Sequence, residues 1–320
     1  MTISEFDVIA RFFTRSGRHR DDVLLGIGDD AALLQVAAGR ALVVAMDTLV
    51  AGRHFPGTTN PEDIGFKSLA VNLSDLAAMG AAPAWATLSL TIPAVDERWL
   101  EAFASGFFEL ADRFGVELVG GDTTRGPLSV TVQAHGLIDP DKVLRRDRAR
   151  PGQKLFVTGT LGDAALALHQ LSHGEPADAE LRRRLDRPEP RVAFGAVLAQ
   201  LGRTAAIDVS DGLLADLGHL LDASGCGASI QLDRLPKSPA LAGAPDALAR
   251  DCQLAGGDDY ELCFTLDADA VDRMRVAAAE QSLEITEIGC IEALPGIRCL
   301  HEDGSIHMPQ NRGFDHFGGA

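Results

Sequence analysis

The sequence predicts an α/β protein built as two domains, and three observations carry that prediction. Short apolar runs of strand character alternate with longer amphipathic runs from end to end. The chain has 320 residues, 46% of them hydrophobic, enough for two separate cores. Near the middle a charged segment closing on Pro-Gly, DPDKVLRRDRARPG (residues 139–152), breaks the alternation. The expected domains are therefore residues 1–140 and 150–320.

The first element with a clear signature is ALVVAMDTLV (residues 41–50), a buried strand. Asn60 then offers an N-cap, Pro61 a first helical residue, and Glu62 and Asp63 acids in the first turn, so a helix should run to about Gly80. ERWLEAFASGFFELADRFG (residues 97–115) is a second, amphipathic helix, flanked by strands near 84–92, 116–120 and 128–138. Past the break, QKLFVTG (residues 153–159) starts a new strand, followed by helices near 161–173 and 190–202. A strand at 204–209 leads into a helix from Asp211 to about Ala223. YELCFTL, AVDRMRVAAAEQ and EITEIGCI then read as strand, helix and strand. No short-period repeat or low-complexity tract interrupts the series.

Composition removes several functional classes. A net charge of −17 argues against a nucleic-acid partner, which needs clustered Lys and Arg. The five cysteines all lie in the second half without a CxxC pair, which fits reduced thiols better than disulfides or a zinc site. MTISEFDVIARFF has acids where a signal peptide carries basic residues, and no apolar run approaches the length of a membrane span. The expectation is a soluble, cytoplasmic protein with no membrane partner.

Acids recur where apolar elements give way to small residues: Asp29 and Asp30 in GIGDD, Asp47 in AMDTL, Asp122 in VGGDTT, Asp208 and Asp211 in IDVSDG, Asp258 and Asp259 in GGDDY. Strand ends are where α/β sheets place ligands. Asp75 instead sits in a predicted helix among Leu73, Leu76 and Met79, where a buried carboxylate needs a cation. Lysine cannot be the general answer, because the chain has only Lys67, Lys142, Lys154 and Lys237. Mg²⁺, which takes oxygen ligands and shares carboxylates with phosphates, can. Taken singly each acid has a plainer reading: GIGDD alone is a solvated turn, Asp75 alone a surface helix acid, His54 in GRHF a loop histidine. GxGDDA lacks the third glycine of a dinucleotide turn, and no GxxxxGK[ST] occurs. The joint pattern favours the metal.

GIGDDAAL, DTLVAGRHF, NLSDLAAMGAAP, VGGDTTRG, RARPGQKLFVTG, IDVSDGLLADL, GGDDYELCF and GFDHF follow one another in an order that resembles the bacterial thiamine-monophosphate kinase family. That family belongs to the ATP-binding superfamily of aminoimidazole ribonucleotide synthetase. The resemblance implies a two-domain synthetase-like fold whose N-terminal α/β domain binds ATP and Mg²⁺ and forms a barrel shared across a homodimer. The C-terminal α/β domain would complete the active site. It implies ATP-dependent phosphorylation of thiamine monophosphate to thiamine diphosphate, with several Mg²⁺ ions. Asp30, Asp47, Asp75, Asp122, Asp208 and Asp211 correspond to magnesium ligands, of which Asp30, Asp47, Asp75, Asp122 and Asp211 would carry the catalysis. Gly121, Asp122, Arg146 and Ser210 correspond to ATP contacts, and His54, Glu261 and Phe317 to contacts with thiamine monophosphate. The chain departs from the family at Ala45-Met46, where small hydroxyl residues are common. It departs again at Asp258, which replaces a Glu, and at Gln153, which replaces an Asp.

The acid pattern suits that chemistry. A phosphate acceptor is already an anion, since the second pKa of a phosphomonoester is about 6, and no general base is needed. The barrier is then repulsion between polyanions, lowered by in-line positioning and charge cancellation. Within the superfamily, selenophosphate synthetase would carry a reactive N-terminal Cys, whereas the first cysteine here is Cys226, and the hydrogenase-maturation relative would end in a cysteine tail, whereas this chain ends Gly318-Gly319-Ala320. Aminoimidazole ribonucleotide synthetase is the runner-up, disfavoured by GRHF and GFDHF. A non-catalytic nucleotide or metal sensor on this fold would be expected to have lost acids.

Overall fold

The computed structural model describes residues 4–15, 20–202, 204–311 and 313–314. It divides into two compact units, one of Met1–Leu76 with Ala81–Asp141, the other of Ala77–Gly80 with Lys142–Ala320.

In the first unit, β1 (Val23–Leu25) and β2 (Leu33–Leu34) form a small antiparallel pair. The main sheet has four strands, β3 (Ala41–Val50), β4 (Ala82–Ile92), β5 (Glu117–Arg125) and β6 (Ser129–Ile138), in the order β3-β6-β4-β5. β4 and β5 are parallel and so need a crossover, which the helix Glu97–Phe114 supplies; the other pairs are antiparallel. Asp96 caps that helix through the amides of Arg98 and Trp99, and Gly115 ends it in a left-handed turn. The helix Pro61–Ala78 begins where Pro61 and its two following acids place it. The two helices touch at glycines: a Cβ on Gly65 would lie 2.0 Å from the Phe103 carbonyl oxygen, and one on Gly106 1.8 Å from that of Glu62.

Among the described residues no sheet closes into the expected barrel. The four-stranded sheet is open, β3 at one edge and β5 at the other. Closure requires the first and last strands to pair, and with four strands of ordinary twist these two are far from each other. A second difference concerns β5, which the Gly-Gly pair suggested would stop at 120. It runs to Arg125, because Gly121 and Asp122 continue the parallel ladder opposite Leu88 and Ser89.

The second unit is a seven-stranded sheet of order β13-β12-β9-β11-β7-β10-β8. Its strands are β7 (Lys154–Thr158), β8 (Ala206–Val209), β9 (Gly227–Gln231), β10 (Glu261–Leu266), β11 (Ile285–Glu292), β12 (Gly296–Leu300) and β13 (Ile306–His307). All pairs are antiparallel except β9 with β12. The core gathers Leu155, Val157, Ile207, Val209 and Cys263 from the sheet with Leu213, Leu217 and Leu220 from the helix Leu213–Ser224. Among the described residues no helix is long and apolar enough to cross a membrane.

Backbones packed through facing glycines leave no room for a methyl group. Gly106→Ala should lower the unfolding free energy by about 3 kcal/mol, read by urea denaturation, as overpacking costs of this kind do. Ala102→Gly, on the same helix, should cost only about 1 kcal/mol by propensity.

Candidate active site

In the first unit the sequence after β1 turns on Gly28, whose φ of +129° is open to glycine and strained for other residues. The turn is closed by Asp29, whose Oδ1 accepts the Asp30 N–H at 2.8 Å. Asp29 and Asp30 are both exposed and line a pocket of about 630 Å³ together with Gly120, Gly121 and Asp122. Gly121 is fixed by close approach, since a Cβ there would lie 1.8 Å from the Leu88 carbonyl oxygen. Phe6, Ile9 and Phe13 give the same pocket an apolar wall.

Asp47 and Asp75 are placed elsewhere in this unit. The Asp47 N–H donates to Oδ1 of the fully buried Asn72 on the helix Pro61–Ala78, and Asp75 lies three residues on along that helix, half-buried. Asp47 is on edge strand β3 and Asp122 on edge strand β5. Three strand spacings, about 14 Å, separate those strands, so one copy of the chain does not bring these two carboxylates to one ion. His54 sits in the tight turn after β3. Its Nδ1 accepts the Val50 N–H at 3.0 Å, which puts the proton on Nε2. Its carbonyl accepts from Nζ of Lys67 at 3.3 Å, and Lys67 is itself only 1% exposed.

In the second unit, Asp208 lies in β8, and Ser210, Asp211 and Gly212 form the turn into the helix Leu213–Ser224. A buried acid that the sequence reading passed over, Asp216, holds this turn. Its Oδ2 accepts the N–H groups of Ser210, Asp211 and Gly212 at 2.9, 3.0 and 3.1 Å. The only signal for it was an acid in the first turn of a helix whose cap is glycine. The turn is tied from outside as well. The Asp258 N–H donates to the Ser210 carbonyl, Tyr260 N–H to that of Val209, and Phe314 N–H to that of Asp211. Asp258 and Tyr260 reach these bonds at positive φ, 67° and 50°. Burial, and then the charges of Asp208 and Asp211, push the Asp216 carboxyl up to about 7.

Arg146 is exposed. Its carbonyl accepts from Oγ of Ser224 at the far end of the helix Leu213–Ser224, about 18 Å along the axis from the Ser210–Asp211 turn. Glu261, the first residue of β10, is fully buried. Arg191 grips it with Nε at 2.6 Å and Nη2 at 2.5 Å, and it also accepts from Arg184 Nη2 at 2.9 Å and Thr158 Oγ1 at 2.6 Å. Burial alone would push its carboxyl up; the bond and charge of Arg191, with Arg184, hold it below the ordinary range. Asp259 nearby accepts the Gly162 N–H, at 2.9 Å to both oxygens, and burial raises it well above the ordinary value despite Arg184. Phe317 lies outside the described residues.

Among the described residues no three metal-ligating side chains converge into a ready cage. Mg²⁺ does not need one, since it is held by one or two carboxylates plus phosphates and water. The donor set fits it: all the candidate ligands are hard carboxylate oxygens.

Residues 28–138 match the N-terminal domain model of AIR synthase related proteins, and residues 150–301 the C-terminal domain model. The chain is 47% identical to the thiamine-monophosphate kinase of Salmonella typhimurium, over 99% of each chain. It is 52% identical to the crystallised thiamine-monophosphate kinase of Stenotrophomonas maltophilia K279a, with a TM-score of 0.85 over 90% of this chain and 93% of that one. A structure of AaThiL complexed with AMPPCP and TMP is 32% identical, with a TM-score of 0.77 over 91% and 92% of the two chains.

The buried clamp on Glu261 makes its own test. Glu261→Gln leaves two guanidinium groups inside the protein without their carboxylate and should cost about 3–5 kcal/mol of stability in chemical denaturation. Because the folded-state carboxyl lies below its ordinary 4.5, the wild-type clamp stabilises fully above that value and weakens as pH falls through the lower folded-state one. The variant should therefore lose less stability on acidification than the wild type.

Proposed function

The chain belongs to the thiamine-monophosphate kinase family and phosphorylates thiamine monophosphate to thiamine diphosphate with ATP, and on that premise we propose which of its residues bind and position the reactants. The observation that supports the reading is the placement of the carboxylates: Asp29, Asp30 and Asp122 line one pocket, and Asp211 stands in a braced turn next to the buried Asp208 of β8.

Asp30, Asp47, Asp75 and Asp122 in the first unit and Asp208 and Asp211 in the second are the magnesium ligands. When bound, magnesium supplies the positive charge that lets two polyanions approach. The chain itself binds and aligns. The Gly121–Asp122 backbone, held close to β4, takes the nucleotide phosphates, with Ser210 and Arg146 as further ATP contacts. The acceptor oxygen of thiamine monophosphate is already ionised near pH 7, so no side chain has to remove a proton. Nε2 of His54 faces the substrate as a donor, and Phe317 offers an aromatic face to its rings. Glu261, enclosed by Arg191 and Arg184, reaches the substrate only through the loops it holds.

The active species is a homodimer. β3 turns Leu42, Val44 and Met46 to solvent at 45, 50 and 61% exposure, an apolar row that a second copy covers. The distance between Asp47 and Asp122 within one copy gives that assembly a chemical reason. The cytoplasm, where ATP and magnesium are available, is its place of work.

The test mixes purified protein with ATP, Mg²⁺ and either thiamine monophosphate or free thiamine. Thiamine diphosphate and ADP should form from the monophosphate only, because free thiamine offers a neutral hydroxyl that has to lose a proton, whereas the monophosphate is already an anion. Product from thiamine alone would overturn the reading. Asp75→Asn keeps the volume but removes a ligand charge, and should cut turnover at limiting Mg²⁺ by on the order of a hundredfold or more while the melting temperature stays near wild type.

A further inference from the structure

Asp216 belongs to neither set of residues just described, and its geometry has a directional consequence. One carboxylate oxygen receives three consecutive amides. When the N–H groups of Ser210, Asp211 and Gly212 all point inward to a single atom, that stretch of backbone is curled around it, as in an anion-binding nest. Here the anion is the protein's own, and it is 4% exposed. Ser210 and Asp211 remain half-buried on the outside of the curl.

The surroundings allow the turn little other adjustment. A Cβ on Gly212 would lie 2.8 Å from the Ala255 carbonyl carbon, and one on Gly257 2.5 Å from the Ser210 carbonyl oxygen. Amides of Asp258 and Phe314 take the outward carbonyls of Ser210 and Asp211. Every polar backbone atom of the turn thus has a partner: the three amides share Asp216, and the Gly212 carbonyl accepts the Asp216 N–H.

We propose that Asp216 is a positioning residue: by gathering the three amides it fixes the direction in which Ser210 meets ATP and Asp211 meets magnesium. The inference rests on the reading that Ser210 and Asp211 make those contacts. It assigns Asp216 no contact with metal or nucleotide.

Hydrogen–deuterium exchange on the metal-free protein reads the geometry directly. In wild type the amides of Ser210, Asp211 and Gly212 should exchange slowly; in Asp216→Ala they should exchange at least about tenfold faster, with peptides from β10 and β11 unchanged. Asp216→Asn keeps an oxygen acceptor in place and should retain the protection. In turnover assays Asp216→Ala should lose on the order of a hundredfold in kcat and need several times more Mg²⁺, with KM for thiamine monophosphate little changed, and Asp216→Asn should recover most of the loss.

Fast exchange of the three amides in wild type overturns the proposal without any variant, and so covers the case in which Asp216→Ala fails to fold. Retained protection in Asp216→Ala also overturns it. So does an Asp216→Asn protein that keeps the protection but is as inactive as Asp216→Ala, since charge and not placement would then be the role. Asp211→Asn tests the underlying reading separately: unchanged Mg²⁺ dependence there removes the metal from the turn, whatever the exchange data say about Asp216.

Discussion

Electrostatic repulsion among carboxylates is the constraint to which the local structure answers. Burial, and then the charges of Asp208 and Asp211, raise the Asp216 carboxyl to about 7, and a polypeptide left to itself would move such groups apart. The structure prevents this with backbone. Three amides converge on Asp216, the GGDDY loop and the C-terminal segment hold the carbonyls of the same turn, and glycines at 212 and 257 allow an approach that any side chain would block. The first unit uses the same device more sparingly: Gly28 and Gly121 set the chain path, and the Asp30 amide is taken by Asp29.

The second unit also shows what acids look like when their work is internal. Glu261 is as buried as a side chain can be, yet two arginines and a threonine hold it ionised. Breaking such a pair leaves an uncompensated charge, which is why the clamp locks the start of β10 and the loop that follows β7. Gly159 belongs to the same lock, for a Cβ there would lie 2.2 Å from Oε1 of Glu261. The contrast with Asp216 lies in what holds each acid: Glu261 is held by arginine charges, whereas Asp216 is held by three backbone amides.

Much of this was legible in the sequence, and the illegible part has a common cause. Pro61 with its acids announced the start of a helix, apolar runs marked β3, β7, β8 and β10, although β3 is an edge strand with one face exposed and not the buried strand expected, and the motifs GIGDD and IDVSDG marked turns that carry acids, because all of these are local signals. Partners distant in sequence left no such mark. Gly120-Gly121 looked like a strand end and is instead mid-ladder, since the parallel pairing with Leu88 and Ser89 is a property of the fold. Nothing local in ELRRRLD tells which of its arginines turns inward, yet Arg184 reaches Glu261, 77 residues away. Asp216 was hidden for the opposite reason: its partners are only four to six residues away, but a cap that reaches back to the amides preceding its own helix is not among the common capping patterns.

The nature of the acceptor explains why the acids need to be positioned but not tuned. A kinase acting on an alcohol needs a carboxylate with the right proton affinity close to the hydroxyl. An acceptor phosphate brings its own charge, so the barrier is set by how closely two anions can be held in line. In that setting a carboxylate displaced by an ångström loses most of its value while one with a shifted pKa loses little, provided it stays ionised when the cation is present. Selection then falls on the backbone that carries the acids, and the residues that fix it are glycines 121, 212 and 257 and the amide-binding Asp216. That is the pattern seen here: Asp211 stands in a turn whose amides Asp216 gathers, and Asp122 on a strand that Gly121 lets lie close against β4.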